Sequence, residues 1–254
     1  PRIVTLLAAD GLIKSFGGVL AVREVGFRLE RGERLAVIGP NGAGKSTLFA
    51  MIGGQLRPDG GRVRLDGRDV TGLAAHRLAR AGVARTFQVA ATFLSMTVAE
   101  NVQLALLSRR RRLFGLWRAA RFKERIAAMA ILERLGMGDQ ADRPAGVLAY
   151  GDLKRLELAL ALALEPELLL MDEPTAGMAA EERHALMALT GELVAERGMG
   201  LLFTEHDMDV VFAHADRVLV LARGEVVAEG PPDAIRADRE VRALYLGDDV
   251  GEAA

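Results

Sequence analysis

Hydrophobic and polar positions change period several times along the chain. Short apolar runs rich in β-branched residues come first, among them "RLAVIG" at 34–39 and "GRVRLDGRDV" at 61–70, each punctuated by glycine turns. From about Met96 to Leu164, Ala, Leu and Arg recur at helical spacing with no strand-like segment. Apolar runs of strand length then return as "LLLMD" (168–172), "GLLFTE" (200–205) and "RVLVLA" (217–222), separated by helical stretches such as 181–197. Strands alternating with helices predict an α/β chain built on a mostly parallel sheet. The middle block predicts a helical insertion into that domain. There is no internal repeat, low-complexity tract or long linker, and only the ending "GDDVGEAA" reads as loose.

One segment gives conflicting signals. In "LAYGDLKRLELALALALEP", residues 148–166, five leucines from Leu156 to Leu164 fall on a period of two, the spacing of a strand. Its composition argues for a helix. Alanine is the best helix former and is depleted in strands, nothing from Leu156 to Leu164 is β-branched, and Pro166 is a natural stop. The reading is a helix buried on most sides. Its first turn, with free backbone N–H groups and the positive end of the helix dipole, is a potential anion site.

Composition narrows the function. A chain of 254 residues that is 50% hydrophobic can bury a sizeable core. A formal net charge of -1 gives no overall footprint for nucleic acid. The absence of cysteine excludes disulfides, thiolate metal sites and cysteine nucleophiles, and suits a reducing compartment. The first residues, "PRIVTLLAAD", lack a secretory pattern. The most apolar stretch, 156–171, is broken by Glu157, Glu165, Pro166 and Glu167, short of the ~20 apolar residues that span a bilayer. Any membrane role is therefore expected to run through a partner.

The strongest chemical signal is "GPNGAGKST", residues 39–47, which follows an apolar run and opens a helix in the form G-x-x-x-x-G-K-[ST]. Glycines there let backbone N–H groups wrap phosphates, Lys45 reaches the β and γ oxygens, and the Ser46 hydroxyl can ligate Mg²⁺. "LLLMDEP" then ends a buried strand in Asp172 and Glu173, at the sheet edge where ligands bind in α/β folds. Beside a phosphate loop, Asp172 can hold Mg²⁺ through water while Glu173 polarises an attacking water. A small-molecule kinase needs one acidic group for Mg²⁺, so the adjacent pair favours hydrolysis. "TEHDM" places His206 at the same edge, where an imidazole N–H could reach a γ-phosphate. Gln88, in "ARTFQ", ends a β-like run and could present its amide to Mg²⁺ or water.

The ordered set "GPNGAGKST", "TFQ", "LAYGD", "LLLMDEP" and "TEHDM" resembles the nucleotide-binding subunit of ABC transporters over nearly the whole chain. The resemblance implies one ABC ATPase domain, 1–254: a P-loop NTPase core (1–95 and 165–254) with a mostly parallel sheet and an N-terminal antiparallel β part, plus a helical subdomain at 96–164. It implies ATP and Mg²⁺ as ligands. The phosphates would lie on Gly39, Asn41, Gly42, Ala43, Gly44, Lys45, Ser46 and Thr47, with Phe16 in "KSFGGVLAV" stacked on adenine. Glu173 matches the catalytic base, His206 the switch histidine, and Gln88 the glutamine joining γ-phosphate and Mg²⁺ to the membrane subunits. Two subunits of this family close head to tail, so Tyr150 and Gly151 would face the γ-phosphate held by the opposite subunit. The resemblance also implies permease subunits, a solute-binding protein acting indirectly, a peripheral place on the cytoplasmic face of the inner membrane, and no nucleic acid.

Two departures stand out. The family's usual L-S-G-G-Q is here "LAYGD", with Ala149 in place of the serine, so more of the binding falls to Gly151 and backbone N–H groups. In "AGMAAEE", Ala179 replaces the polar residue that communicates across the dimer. The forms "LAYG", "ARTFQ", "TEHDMDVVF" and "VRALYLG" most resemble ATPases of bacterial importers for branched-chain amino acids and related small amides. A lipopolysaccharide-type exporter would be expected to carry a more standard signature. DNA-repair ATPases need long heptad coils, and no such segment fits between Lys45 and Gly151. The basic stretch "SRRRRLFGLWRAARFKER", 108–125, reads as a solvated helix face; its sharper reading is proximity to an anionic leaflet, on the order of 1 kcal/mol per basic residue.

Overall fold

The computed structural model describes residues 4–86, 92–109 and 117–246. Strands β1 (Thr5–Phe16) and β2 (Val19–Glu30) form a hairpin turned by Gly17 and Gly18 at φ 54° and 86°, angles that a side chain resists. β3 (Arg34–Ile38) leads into α1 (Lys45–Ile52), followed by β4 (Gly60–Leu65), β5 (Arg68–Asp69), α2 (Ala75–Arg80) and β6 (Val83–Thr86). Helices α3 (Val98–Arg109), α4 (Trp117–Arg134) and α5 (Tyr150–Ala163) come next. The chain continues through β7 (Leu168–Asp172), α6 (Ala180–Arg197), β8 (Gly200–Thr204), α7 (Met208–His214), β9 (Arg217–Ala222), β10 (Glu225–Gly230), α8 (Pro232–Ala237) and α9 (Arg239–Leu246).

Two sheets result. One is antiparallel in the order β2-β1-β4-β5; the other runs β10-β9-β3-β8-β7-β6, parallel except for the β10–β9 pair. This is the predicted α/β fold, with its antiparallel part first in the chain. The β-rich run 61–70 is a hairpin rather than one strand, because Asp66 and Gly67 turn it at φ 48° and 74°.

Why the parallel strands read as unbroken apolar runs is clear from their two faces. Leu35, Val37, Leu168, Leu170, Leu202 and Leu219 join the layer shared with the antiparallel sheet and α1. Their neighbours Ala36, Ile38, Leu169, Met171, Leu201 and Val218 join the layer shared with the helices. Successive side chains point to opposite faces and both faces are covered, so no position is left for a polar residue.

The ambiguous segment is α5. Leu156, Leu158, Ala159, Leu162 and Ala163 are all buried, because α3, α4 and β6 pack around the helix. With nearly its whole circumference enclosed, a helix needs no amphipathic period, and each buried leucine contributes about 1.5–3 kcal/mol. Parallel register fixes the edge that matters: Val37 and Asp172 both pair with Thr204, and Thr86 pairs with Met171. The carboxyl ends of β3, β8, β7 and β6 therefore finish side by side.

Candidate functional site

The loop between β3 and α1 is held by glycines. A Cβ on Gly39 would lie 2.1 Å from the Leu221 carbonyl oxygen, and one on Gly44 would lie 2.4 Å from that of Ala21. Gly44 also has φ 104°, so no other residue fits there. The turn leaves free N–H groups in the first turn of α1, where Ser46 is exposed. Lys45 beside it is buried, and its Nζ donates to the carbonyls of Gly39 (2.6 Å) and Pro40 (3.1 Å). Burial pushes the Lys45 ammonium below its ordinary pKa, while the nearby Glu173 and Asp172 carboxylates pull it back up.

Across the sheet edge, Asp172 ends β7 with both carboxylate oxygens engaged. Thr204 Oγ1 donates to one at 2.8 Å and Arg85 Nη2 to the other at 2.9 Å. Glu173, one residue on, has φ 50°, a conformation that costs a non-glycine residue of order 1–3 kcal/mol. Its N–H donates to the Thr204 carbonyl (3.1 Å) and hydroxyl (3.0 Å), which hold it there. The strain turns the Glu173 side chain away from the Asp172 cluster. It meets His206 instead, with Nε2 2.8 Å from Oε1; both side chains remain open to solvent. Between β8 and His206, buried Glu205 accepts from the Thr175 N–H (2.8 Å) and hydroxyl (2.7 Å). Burial raises the Glu205 carboxyl pKa against the pull of those bonds and of the His206 N–H.

The first turn of α5 has its own surroundings. Ala149 at the N-cap offers no side-chain cap. A Cβ on Gly151 would stand 3.3 Å from both carboxylate oxygens of Glu182, which also accepts from the Ala179 N–H at 3.4 Å. The Tyr150 ring lies over Gly177, 3.2 Å from where a Cβ there would be. Lys154 Nζ is 5.5 Å from the centre of that ring and 3.2 Å from Glu157, in a buried pair. Burial raises the Glu157 carboxyl pKa, opposed by Lys154.

A family model described as "ABC transporter" matches residues 22–176, and a second, "Branched-chain amino acid ATP-binding cassette transporter", matches 225–251. The chain belongs to the ABC transporter family. It is an ATP-binding subunit of the ATPase kind. "High-affinity branched-chain amino acid transport ATP-binding protein BraF" of Pseudomonas aeruginosa is 40% identical over 250 residues, covering 96% of this chain and 98% of BraF. The ADP conformation of MJ1267, an ATP-binding cassette of an ABC transporter, superposes with a TM-score of 0.84 at 31% identity, covering 96% of this chain and 99% of that one. The dimeric post-hydrolysis state of the cassette MJ0796, bound to ADP and Pi, gives 0.76 at 25% identity, covering 89% and 99%.

In this ABC ATPase the strand order gathers Lys45, Ser46, Asp172, Glu173 and His206 along one sheet edge. Phe16 stands at the hairpin tip of β1, half exposed, with Lys14 Nζ 5.6 Å from its ring. Tyr150 and Gly151 have Gly177 and Glu182 for neighbours. Gln88 lies outside the described residues, as does most of the basic stretch. Of the basic residues described there, Arg109 pairs with Glu165 and Arg125 with Asp142.

Sequence reasoning missed Thr204, Arg85, Thr175 and Glu205, although three of them lie inside the quoted "ARTFQ" and "TEHDM". The available signal was a polar residue at the buried end of an apolar strand, which needs a partner. It also missed Arg183 on α6. Its Nε donates to the Met178 carbonyl (2.7 Å) and its Nη1 to Asp207 Oδ2 (2.5 Å).

Proposed function

We propose that this chain binds Mg-ATP along the edge formed by β3, β8 and β7, hydrolyses it when two ATPase subunits close head to tail, and so powers import of branched-chain amino acids or related small amides. The observation that carries the reading is the split between two adjacent carboxylates. Asp172 is locked among Thr204 and Arg85, while Glu173 is turned out to His206 and solvent. The first suits a fixed electrostatic role and the second a proton-accepting one.

The donor set fits Mg²⁺. Ser46 and Asp172 offer hard oxygens, and Asp172, with both oxygens already engaged, suits binding through water; Gln88 would add an amide oxygen. When bound, the ion spreads the charge of the β and γ phosphate oxygens. The chain's own residues do the rest. Backbone N–H groups of Gly39 and of residues 41–47 bind the phosphates, and Lys45 exchanges the Gly39 and Pro40 carbonyls for β and γ oxygens. Phe16 supplies a face for adenine. Glu173 takes a proton from the attacking water, and His206 orients that carboxylate and reaches the γ-phosphate.

The dimeric cassette MJ0796 supports pairing of this chain with a second ATPase subunit, the same or a related chain. Tyr150 and Gly151 would then face the partner's nucleotide. A surface for permease subunits would lie beside α5. A cleft of about 230 Å³ between β6, α3 and α5 has Phe93, Leu104, Ala105, Leu160 and Ala161 on its apolar walls and Arg85, Asn101 and Glu157 among its polar lining, and exposed Leu94 follows Phe93. Its size and mostly apolar walls suit a short, largely apolar segment of the permease. Residues 96–164 would move as the helical subdomain against the core of 1–95 and 165–254, with Gln88 at the joint. Among the described residues no helix is long and apolar enough to cross a membrane. Likeness to transport ATP-binding proteins supports a peripheral place for the chain, on the cytoplasmic face of the inner membrane. A solute-binding protein would act through the permease.

The test is uptake by the native complex, isolated with its membrane subunits and reconstituted with ATP on this chain's side. ATP-dependent accumulation of leucine, isoleucine or valine, absent with Lys45→Ala, is the expected result. ATP turnover that moves solute only outward, or that neither these amino acids nor small amides stimulate, contradicts the import reading.

A further inference from the structure

Two loops approach the catalytic edge. Residues 174–179 follow Glu173, and 205–207 follow β8 and carry His206. The first loop ends in Ala179, which has no polar side chain with which to reach anything. Arg183, one turn into α6, joins the loops instead. Its Nε donates to the Met178 carbonyl at 2.7 Å and its Nη1 to Asp207 Oδ2 at 2.5 Å. Asp207 Oδ1 meanwhile accepts from the N–H groups of Asp209 (3.0 Å) and Val210 (3.3 Å), capping α7. The Asp207 carboxylate thus has one oxygen for the helix and the other for Arg183.

His206 sits between two tethered neighbours. Glu205, before it, is bonded to Thr175 by backbone and hydroxyl; Asp207, after it, is bonded to Arg183. Both tethers lead back to the loop behind Glu173, the residue that His206 contacts at 2.8 Å. The Arg183 end also comes close to α5, since Met178 adjoins Gly177, on which the Tyr150 ring rests.

We infer that Arg183 is a positioning residue for the Glu173–His206 pair, its guanidinium fixing the span between the loop at Met178 and the loop at Asp207. This deepens the hydrolysis reading and rests on it. An exposed ion pair by itself contributes little and would deserve no functional role. A planar guanidinium engaging acceptors on two separate segments is a geometric constraint, which a flexible point charge cannot reproduce. A displacement of Met178 is thereby passed to the residue after His206.

The test is a cycle of Arg183→Ala, Asp207→Asn and the double variant, with Arg183→Lys beside it, reading kcat, KM for ATP and Tm. Asp207→Asn keeps an oxygen that can cap α7 while removing the charge partner, so it carries the test if Arg183→Ala does not fold. Each single variant is expected to lower kcat by about tenfold to 10²-fold, the scale of a misplaced catalytic group, with KM and Tm little changed. The double variant is expected to be no worse than the worse single one. Arg183→Lys should keep Tm without restoring kcat. Unchanged kcat, losses that multiply in the double variant, or a kcat loss that only follows Tm overturns the inference. Wild type without ATP turnover, or full turnover in Glu173→Gln, overturns the hydrolysis reading instead.

Discussion

His206 Nε2 lies 2.8 Å from Glu173 Oε1, across the gap between the ends of β8 and β7. The carboxylate belongs to a residue whose backbone is held at φ 50° by Thr204, so its base is rigid and its outer end is steadied by the imidazole. His206→Ala should therefore lower kcat by about tenfold to 10²-fold while leaving ATP affinity close to wild type. Nucleotide titration beside steady-state turnover checks this; equal losses in both would make His206 a binding residue.

Lys45→Ala should abolish tight Mg-ATP binding, because the ammonium is the charge at the centre of the phosphate loop. Nucleotide titration of the folded variant tests this; ATP affinity that survives there would remove the loop from the site.

Gly151→Asp should leave ATP binding by the single chain intact and prevent closure of the dimer. The new side chain would meet the Glu182 carboxylate, whose oxygens lie 3.3 Å from the position of its Cβ, and would add a negative charge where the partner's γ-phosphate is expected. ATP affinity and ATP-dependent dimerisation, measured in the Glu173→Gln background, separate the outcomes. Loss of affinity in the isolated folded chain would place Gly151 in its own chain's site.

Half-buried His214 gives a prediction for pH. Burial first, then the charge of His184 and Arg34, push its pKa below the ordinary 6.5; the Arg34 charge is itself paired with Asp216. The two imidazoles share a contact of 3.1 Å, which needs a bare nitrogen on one ring. A depressed histidine pKa means that the unfolded chain binds more protons, so this contribution is present above about pH 6.5 and is lost on acidification below it. Tm should fall more steeply between pH 7 and 5 in wild type than in His214→Gln. Equal slopes would mean that His214 does not titrate with folding.

Legibility followed distance along the chain. β7 and β9 were readable residue for residue, because strands buried on both faces advertise themselves as unbroken apolar runs. α5 was readable from alanine content despite its misleading period. The glycine loop at 39–47 and the adjacent Asp172 and Glu173 were readable as candidates because each lies in one contiguous stretch, and the structure places them at one sheet edge. What stayed hidden depends on folding. Arg85 reaches Asp172 across 87 positions and Arg183 reaches Asp207 across 24, and in sequence both arginines look like ordinary surface charge. Glu182 likewise reads as a solvated residue in the first turn of a helix, with nothing to place it beside Gly151.

The most direct measurement is ATP turnover set against bound ATP in Glu173→Gln, with the chain assembled as the native complex. Glutamine keeps the size of the side chain and loses the proton acceptor. ATP affinity should stay near wild type, the ATP-bound dimer should accumulate and hydrolysis should slow by at least ~10²-fold, the low end for removing a general base. Turnover at the wild-type rate in the folded variant would contradict this and place the base elsewhere.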